Sequence, residues 1–212
     1  MTGARADGRT TRWAGHREQR RAAFVDAALV VVDRVGPSAT VDQIAAEAGT
    51  SRQALYRQFT DRADLDHAVA ERAAALLVEH LLPDLALAPQ ELGDVDRPIA
   101  AGLHAYLDFV QQHLGLYRFV RARELEVDAG SAVRQVKDTV AEQITALAAP
   151  LLADLDLPDG TARTFAIGMI GLVDAVVGRW LDEPRGLSRD ELVAQLTLVL
   201  GGAARALATA PR

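Results

Sequence analysis

The stretch from Thr40 to Phe59, TVDQIAAEAGTSRQALYRQF, constrains this chain more than any other, because it lays out two short helices around one glycine. Val41, Ile44, Ala45 and Ala48 recur at i, i+3, i+4 and i+7. That spacing makes one face of the first helix apolar, and small enough for another helix to approach closely. Gly49 stands where the chain must turn sharply. Beyond it, Leu55 and Phe59 lie one turn apart and point inward, while Arg52, Gln53, Tyr56 and Arg57 form the opposite side as two i, i+4 pairs. Guanidinium groups, an amide and a phenol on one face suit phosphate oxygens and base edges. The stretch has the layout of a helix-turn-helix that reads DNA.

Capping chemistry sets the expected boundaries. Thr40 followed by Gln43 has the pattern of a capping box, so the first helix should start at Val41. Thr50 or Ser51 is available to cap the second, and Thr50 with Gln53 repeats the box. Gln53 is therefore divided between capping and base reading.

From His16 to Val69, about a quarter of the chain, the sequence resembles the DNA-binding domain of the TetR family of transcriptional regulators. HREQRRAAFVDAALVVVDRVG is similar to its first helix, TVDQIAAEAG to the second, TSRQALYRQF to the recognition helix, and DRADL to the opening of the fourth. Ala45, Gly49, Ser51, Leu55, Tyr56 and Phe59 all stand at the family's spacing. The resemblance implies that Thr40 and Tyr56 contact phosphates and that Ser51, Arg52 and Gln53 form the groove-facing start of the recognition helix. It places Arg62 where the family usually carries a lysine. Two positions depart from the pattern: Gly36-Pro37 replaces a preferred aromatic, and Thr50 replaces a usual valine before Ser51.

Composition extends the reading to the whole chain. Half of the 212 residues are apolar and strand-like alternation is missing. An all-α protein of about nine helices is expected, with an N-terminal three-helix domain followed by a larger helical body. The expected divisions are a flexible tail at 1–14, a DNA-binding domain at 15–62, and an effector-binding and dimerisation domain at 63–212. There is no Cys, which excludes disulfide frameworks, thiolate nucleophiles and cysteine-ligated metals. The five histidines, at 16, 67, 80, 104 and 113, lack metal-binding spacing, and no HExxH, GxGxxG, P-loop or GxSxG occurs. No catalytic residue, metal or cofactor is expected, and the chain does not read as an enzyme. The longest apolar run, near Phe165 to Val173, is shorter than the roughly 18 residues that span a bilayer. The polar, arginine-dotted N-terminus does not read as a signal peptide. These features predict a cytoplasmic protein with no membrane partner.

The total charge of −6 at first argues against DNA, but its distribution does not. Residues 1–62 hold ten arginines against seven acids, a net of +3, which leaves −9 for the remainder. Positive charge is concentrated at the motif. Lys137 is the one lysine in the chain, so phosphate contacts would fall to guanidinium forks.

Along the chain, Phe24, Ala28, Val31, Val32 and Val35 form the inner stripe of helix one, which Gly36-Pro37 should stop. A longer amphipathic segment runs from Asp61 to Leu82, ended by Pro83, and Pro89 and Pro98 bracket a loop. Ile99, Leu103, Tyr106, Leu107 and Val110 repeat at helical spacing, and Leu116, Tyr117, Phe119 and Val120 mark a short segment. Val133, Val136, Val140, Ile144 and Leu147 mark a helix broken by Pro150. Two long helices follow, Thr161 to about Leu181 and Ser188 to about Leu207, the second opened by the box Ser188/Glu191.

Tyr106, Phe109, Tyr117, Phe119, Phe165, Met169 and Trp180 lie on body helices that would surround one interior. The pattern alone fits a packed core as well as a ligand cavity. It is the resemblance that implies a small-molecule site. Asp174, within FAIGMIGLVDAVVG, needs a partner among its apolar neighbours, which Arg121, Arg123, a second subunit or solvent would supply. Gly168, Gly171, Ala175, Gly178, Gly201, Gly202 and Ala203 permit close helix approach in the last two helices. That approach serves core packing or, as the resemblance implies, a four-helix interface between two copies. The expected protein is a homodimeric repressor released from a palindromic double-stranded DNA operator by a small, hydrophobic effector. The alternative, a helical ligand-binding protein or adaptor without DNA-binding activity, leaves the Arg52/Gln53/Tyr56/Arg57 face without a purpose.

Overall fold

Between Gly8 and Gly36 no proline interrupts the chain, and it forms a single helix, α1 (Gly8–Val35), of 28 residues. The computed structural model describes residues 8–85, 95–124, 130–152, 157–183 and 186–208. A 3-10 turn (Gly36–Ser38) follows α1, and then come α2 (Val41–Glu47), α3 (Arg52–Leu55), α4 (Arg62–Leu85) and α5 (Asp96–Gln112). The series ends with α6 (Leu114–Glu124), α7 (Gly130–Leu152), α8 (Thr161–Asp182) and α9 (Arg189–Ala208). The described residues contain no strand.

Several boundaries differ from expectation. Residues 8–14, expected in the tail, belong to α1. Propagating a helix already anchored by a core adds one hydrogen bond per residue without a new nucleation cost, so apolar periodicity is not required. Pro83 and Pro150 lie inside α4 and α7 rather than ending them. Each sits two residues before the last, where it removes one backbone bond and has little following helix to disrupt. Pro98, expected at a loop boundary, lies in the first turn of α5, whose amides have no intrahelical acceptor. Pro89 lies outside the described residues.

The chain divides into two compact units that are not contiguous in sequence. One comprises the described parts of Met1–Ala74 and His113–Val133, and the other those of Ala75–Gln112 and Arg134–Arg212. In the first unit, Ala28, Val31 and Val32 of α1, Ile44 of α2, Leu55 of α3, Phe59, and Leu65 and Val69 of α4 are buried together with Leu116 and Phe119 of α6. Phe24 and Phe59 meet edge to face with ring centroids 6.4 Å apart.

Short-range geometry explains how α6 joins this unit. A Cβ at Gly115 would collide with the carbonyl oxygen of Asp33, so only glycine lets the start of α6 approach the end of α1. His113 Nδ1 lies 2.8 Å from Asp33 Oδ2 at the same junction. Asp66, the one charged side chain among the buried described residues, is held by Arg62 Nε at 2.7 Å and by Arg123 Nη2 of α6 at 3.2 Å. A buried carboxylate requires such partners, because an uncompensated charge in a protein interior costs several kcal/mol.

The second unit is organised by an apolar cluster. Leu103 and Leu107 of α5, Val177 of α8, and Leu192, Val193, Leu196 and Leu200 of α9 form its buried centre. Arg189 at the start of α9 ties that helix to α5, 2.6 Å from Asp108 Oδ1 and donating to the His104 carbonyl oxygen at 2.9 Å. The Arg189 bond holds the Asp108 carboxyl below its ordinary value of 3.8. Asp174 is paired with Lys137 of α7 at 2.9 Å, not with Arg121 or Arg123. No short-range pattern links residues 37 positions apart on different helices.

Helix α8 corrects the estimate from uninterrupted apolar runs. By length and composition it is apolar enough to cross a membrane, with a mean hydropathy of 1.5 over an 18-residue window. Counting consecutive apolar residues misses this because polar positions such as Asp174 interrupt the run. Only 17% of that window is buried, and Ile167, Leu172 and Val176 are exposed. Leu198 and Val199 of α9 are exposed to 70% and 54%, which leaves an apolar surface uncovered in the single chain.

Candidate nucleic-acid interface

The helix-turn-helix is built from local polar bonds over a small apolar base. The Thr40 hydroxyl accepts from the Gln43 amide at 3.3 Å, and Gln43 Oε1 accepts from the Thr40 amide at 2.9 Å, completing the box. At the other end of α2, Gly49 adopts φ +64, a left-handed conformation that favours glycine. Its amide donates to Ala46 and that of Thr50 donates to Ala45, at 3.0 and 2.9 Å, which is the Schellman pattern. Thus α2 stops and the chain turns within three residues.

Ser51 caps α3, its hydroxyl accepting from the Ala54 amide at 3.3 Å. With Ser51 as the cap, the residue in the box position is Ala54, and Gln53 is left for the outer face. The α-helix proper is short, Arg52–Leu55, and a turn carries the chain through Gln58. Phe59 still donates its amide to the Leu55 carbonyl at 3.2 Å. Leu55 and Phe59 are buried, while Ser51, Arg52, Gln53, Tyr56 and Arg57 are all exposed. Tyr56 exposes 40% of its surface. Arg52 lies 3.4 Å from Asp42, with both side chains more than half exposed, so the pair is weak and water-screened.

Residues outside the motif hold its far end, and sequence reasoning missed them. Arg21 of α1 donates to the Gln58 carbonyl at 3.0 Å and to Asp64 Oδ1 at 2.7 Å, with its guanidinium 4.2 Å from the centre of the Phe59 ring. The Arg21 bond is the main cause holding the Asp64 carboxyl below its ordinary value of 3.8. Asp61 accepts from the Asp64 amide at 2.8 Å, capping the head of α4, and Asp64 in turn accepts from the Thr60 amide at 2.9 Å. The D-x-x-D spacing of Asp61 and Asp64 signals the cap, but nothing local signals Arg21, 43 positions from Asp64. Arg62 is engaged with Asp66, and its Nη2 is buried.

The sequence profile of "Bacterial regulatory proteins, tetR family" matches residues 24–69, and that of the "Tetracyclin repressor-like, C-terminal domain" matches residues 95–200, half of the chain. The chain belongs to the TetR family of transcriptional regulators. An HTH-type transcriptional regulator of Mycobacterium tuberculosis is 28% identical over 196 residues, covering 92% of this chain and 81% of that protein. The HTH-type transcriptional activator FasR of Mycolicibacterium smegmatis is also 28% identical, over 83% of this chain and 78% of its own. A TetR-family regulator from Streptomyces coelicolor has the same fold, with a TM-score of 0.68 at 23% identity over 92% of this chain and 90% of that one. This TetR-family chain is a DNA-binding transcriptional regulator, and its relatives are regulators rather than enzymes.

In the body of this TetR-family protein the seven expected ligand residues do not share one unit. Tyr117 and Phe119 belong to the first unit, where Phe119 is fully buried with the Arg123 guanidinium 5.0 Å from its ring centre. Tyr106, Phe109, Phe165, Met169 and Trp180 belong to the second. Of these, Tyr106, Met169 and Trp180 pack on the apolar cluster, and Trp180 Nε1 donates to the Leu187 carbonyl at 2.8 Å. Phe109 is buried with its ring 5.7 Å from that of His80. Phe165 is half-buried on α8.

Proposed function

We propose that this regulator acts as a homodimeric repressor that leaves a palindromic operator when a small hydrophobic molecule binds its body. The observation that carries the dimer is the uncovered apolar surface of Ile167, Leu172 and Val176 on α8 with Leu198 and Val199 on α9. A second copy of the same surface buries it, and two-fold pairing is the commonest way for one chain to do so. Two heads then enter major grooves about 34 Å apart, which requires a palindromic site. On each head, Thr40, Tyr56 and Arg57 meet phosphates, while Ser51, Arg52 and Gln53 face the groove. Arg62 joins them only by giving up part of its bond to Asp66.

The larger domain, 63–212, is the effector and dimerisation part, in keeping with the tetracycline-repressor-like match over residues 95–200. Phe165, Met169, Tyr106, Phe109 and Trp180 bring an apolar, aromatic character that suits a hydrophobic effector. Coupling of about 1–3 kcal/mol between effector and DNA is typical of such proteins. It acts by favouring a position of α4 in which the two heads leave the operator's register. FasR is named as an activator, and that relative favours a second reading in which the same dimer raises transcription.

Selection of bound duplexes from a random library tests the proposal. Palindromes with half-sites about one helical turn apart are expected. Recovery of single, unpaired half-sites overturns the dimer, and recovery of no sequence overturns the operator.

A further inference from the structure

Two charged side chains at the surface of the helix-turn-helix stand in a relation that phosphate binding does not require. Arg52 opens α3, Asp42 lies in the first turn of α2, and Arg52 Nη1 donates to Asp42 Oδ2 at 3.4 Å. Caps fix the backbone at both positions, Thr40 with Gln43 around Asp42 and Ser51 ahead of Arg52. The Arg52 and Asp42 side chains are 57% and 68% exposed, so the pair lies on the outer surface and not in the core. Arg57, on the same exposed face, has no hydrogen-bond or ion-pair partner among the described residues. Arg52 is thus the arginine of that face that a carboxylate holds.

A negative charge at this position works against general DNA affinity. Asp42 repels any phosphate that comes near it, so the pair is poorly suited to binding every duplex alike. It does suit the reading of a base. A guanidinium carries two parallel N–H groups along its Nε–Nη2 edge, and guanine presents O6 and N7 as paired acceptors in the major groove. With Nη1 turned to Asp42, that edge remains open. Ordering a long side chain on binding costs affinity, and a carboxylate behind the guanidinium fixes its plane beforehand. In water the attraction is small, but it grows once docking excludes solvent and lowers the local dielectric.

We propose that Arg52 reads a guanine and that Asp42 is its positioning residue, holding the guanidinium with the Nε–Nη2 edge toward O6 and N7. This rests on the DNA-binding reading and deepens it, by naming the base and the group behind its reader. Asp42 lowers affinity for DNA in general and sharpens the choice at one base pair of each half-site.

The test uses the full-length protein and random duplexes of about 40 base pairs, from which bound molecules are selected and sequenced to give the base preference at every position. The probes are Arg52→Ala, Asp42→Ala and the double variant, with Asp42→Asn repeating the second at constant size. Both positions are exposed, and circular dichroism checks that each variant folds. In the wild type, one position per half-site should prefer guanine, and Arg52→Ala should reduce that preference about fivefold or more. Asp42→Ala and Asp42→Asn should each weaken the same preference about three- to tenfold and leave the other positions unchanged. Affinity for an unselected duplex should stay level or rise in both, because a negative charge is removed. In the Arg52→Ala background, adding Asp42→Ala should alter no base preference.

That pattern separates positioning from a structural role, which would lower affinity at all positions together. An unchanged guanine preference in both Asp42 variants overturns the proposal, as does a uniform gain or loss of affinity with no change of preference. A shift caused by Asp42→Ala in the absence of Arg52 also overturns it, since Asp42 would then read a base itself. If Arg52→Ala keeps every wild-type preference, Arg52 is not the reader, and the proposal fails while the DNA-binding reading stands. Recovery of no sequence by the wild type overturns that reading, and this proposal with it.

Discussion

The two units of this regulator each bury an apolar core but differ in how many directional bonds surround it. The first is assembled by directional contacts: the Thr40/Gln43 box, the left-handed Gly49, Arg21 on Asp64, and Asp66 between Arg62 and Arg123. The second depends on volume and area, through Leu103, Leu107, Val177, Leu192, Val193, Leu196 and Leu200. A surface that must meet phosphates and base edges needs side chains at fixed angles, which caps and ion pairs provide. A body whose helices meet through one apolar cluster depends on packing, which tolerates exchange of similar shapes. The contrast teaches that the unit carrying the helix-turn-helix is specified residue by residue and the other mainly by pattern.

The strongest challenge to this contrast is Leu107→Ala, which empties a fully buried position of the second unit. A loss of about 3–4 kcal/mol is expected from chemical denaturation. A loss under about 1 kcal/mol would show that the cluster is not what holds the unit. Next is Asp66→Ala, which leaves Arg62 and Arg123 facing each other without their carboxylate. About 3 kcal/mol of destabilisation is expected, at the lower end for a broken buried pair because Arg62 retains some exposure. If Asp66→Ala were neutral, directional contacts would not be what ties α6 to this unit.

Smaller effects sharpen the same comparison. Gly49→Ala forces a side chain into φ +64 and should cost about 1–2 kcal/mol, read from the melting temperature, with duplex affinity falling as the turn relaxes. Acid is the mildest probe. The Asp64 carboxyl is depressed by Arg21, so its contribution is complete above the ordinary value of 3.8 and disappears as pH falls through the lower folded value. Asp64→Asn should therefore flatten part of the stability loss below about pH 4, by less than about 1 kcal/mol given its exposure. The Asp108–Arg189 pair of the second unit carries a similar acid-sensitive share, so the flattening is partial.

Which features were legible in the sequence follows from separation along the chain. The boxes at Thr40/Gln43 and Ser188/Glu191, and the turn at Gly49, involve partners three to five residues apart and form as their spacing predicts. The apolar register of α5 likewise anticipates Leu103 and Leu107 of the second core. The choice of Ser51 over Thr50 as a cap needed coordinates, because both hydroxyls are in range by sequence alone. The cap choice is what leaves Gln53 for the outer face. Of the seven body residues expected around one interior, Tyr117 and Phe119 reside with the first unit and the other five with the second. Periodicity states that a face is apolar without stating which apolar face it meets.

The order of residues alone determined an all-helical chain, a helix-turn-helix with an exposed Arg52/Gln53/Tyr56/Arg57 face, and the positive charge near its N-terminus. Helical hydrogen bonds, caps and net charge depend on neighbours within a few positions, so they are written in the sequence directly. Tertiary structure decided that α6 packs with the head, that Asp66 receives Arg123, that Asp174 receives Lys137, and that α8 and α9 leave apolar surface uncovered. Each of those outcomes depends on which distant helix arrives at close range, and that is settled by the simultaneous packing of all the others.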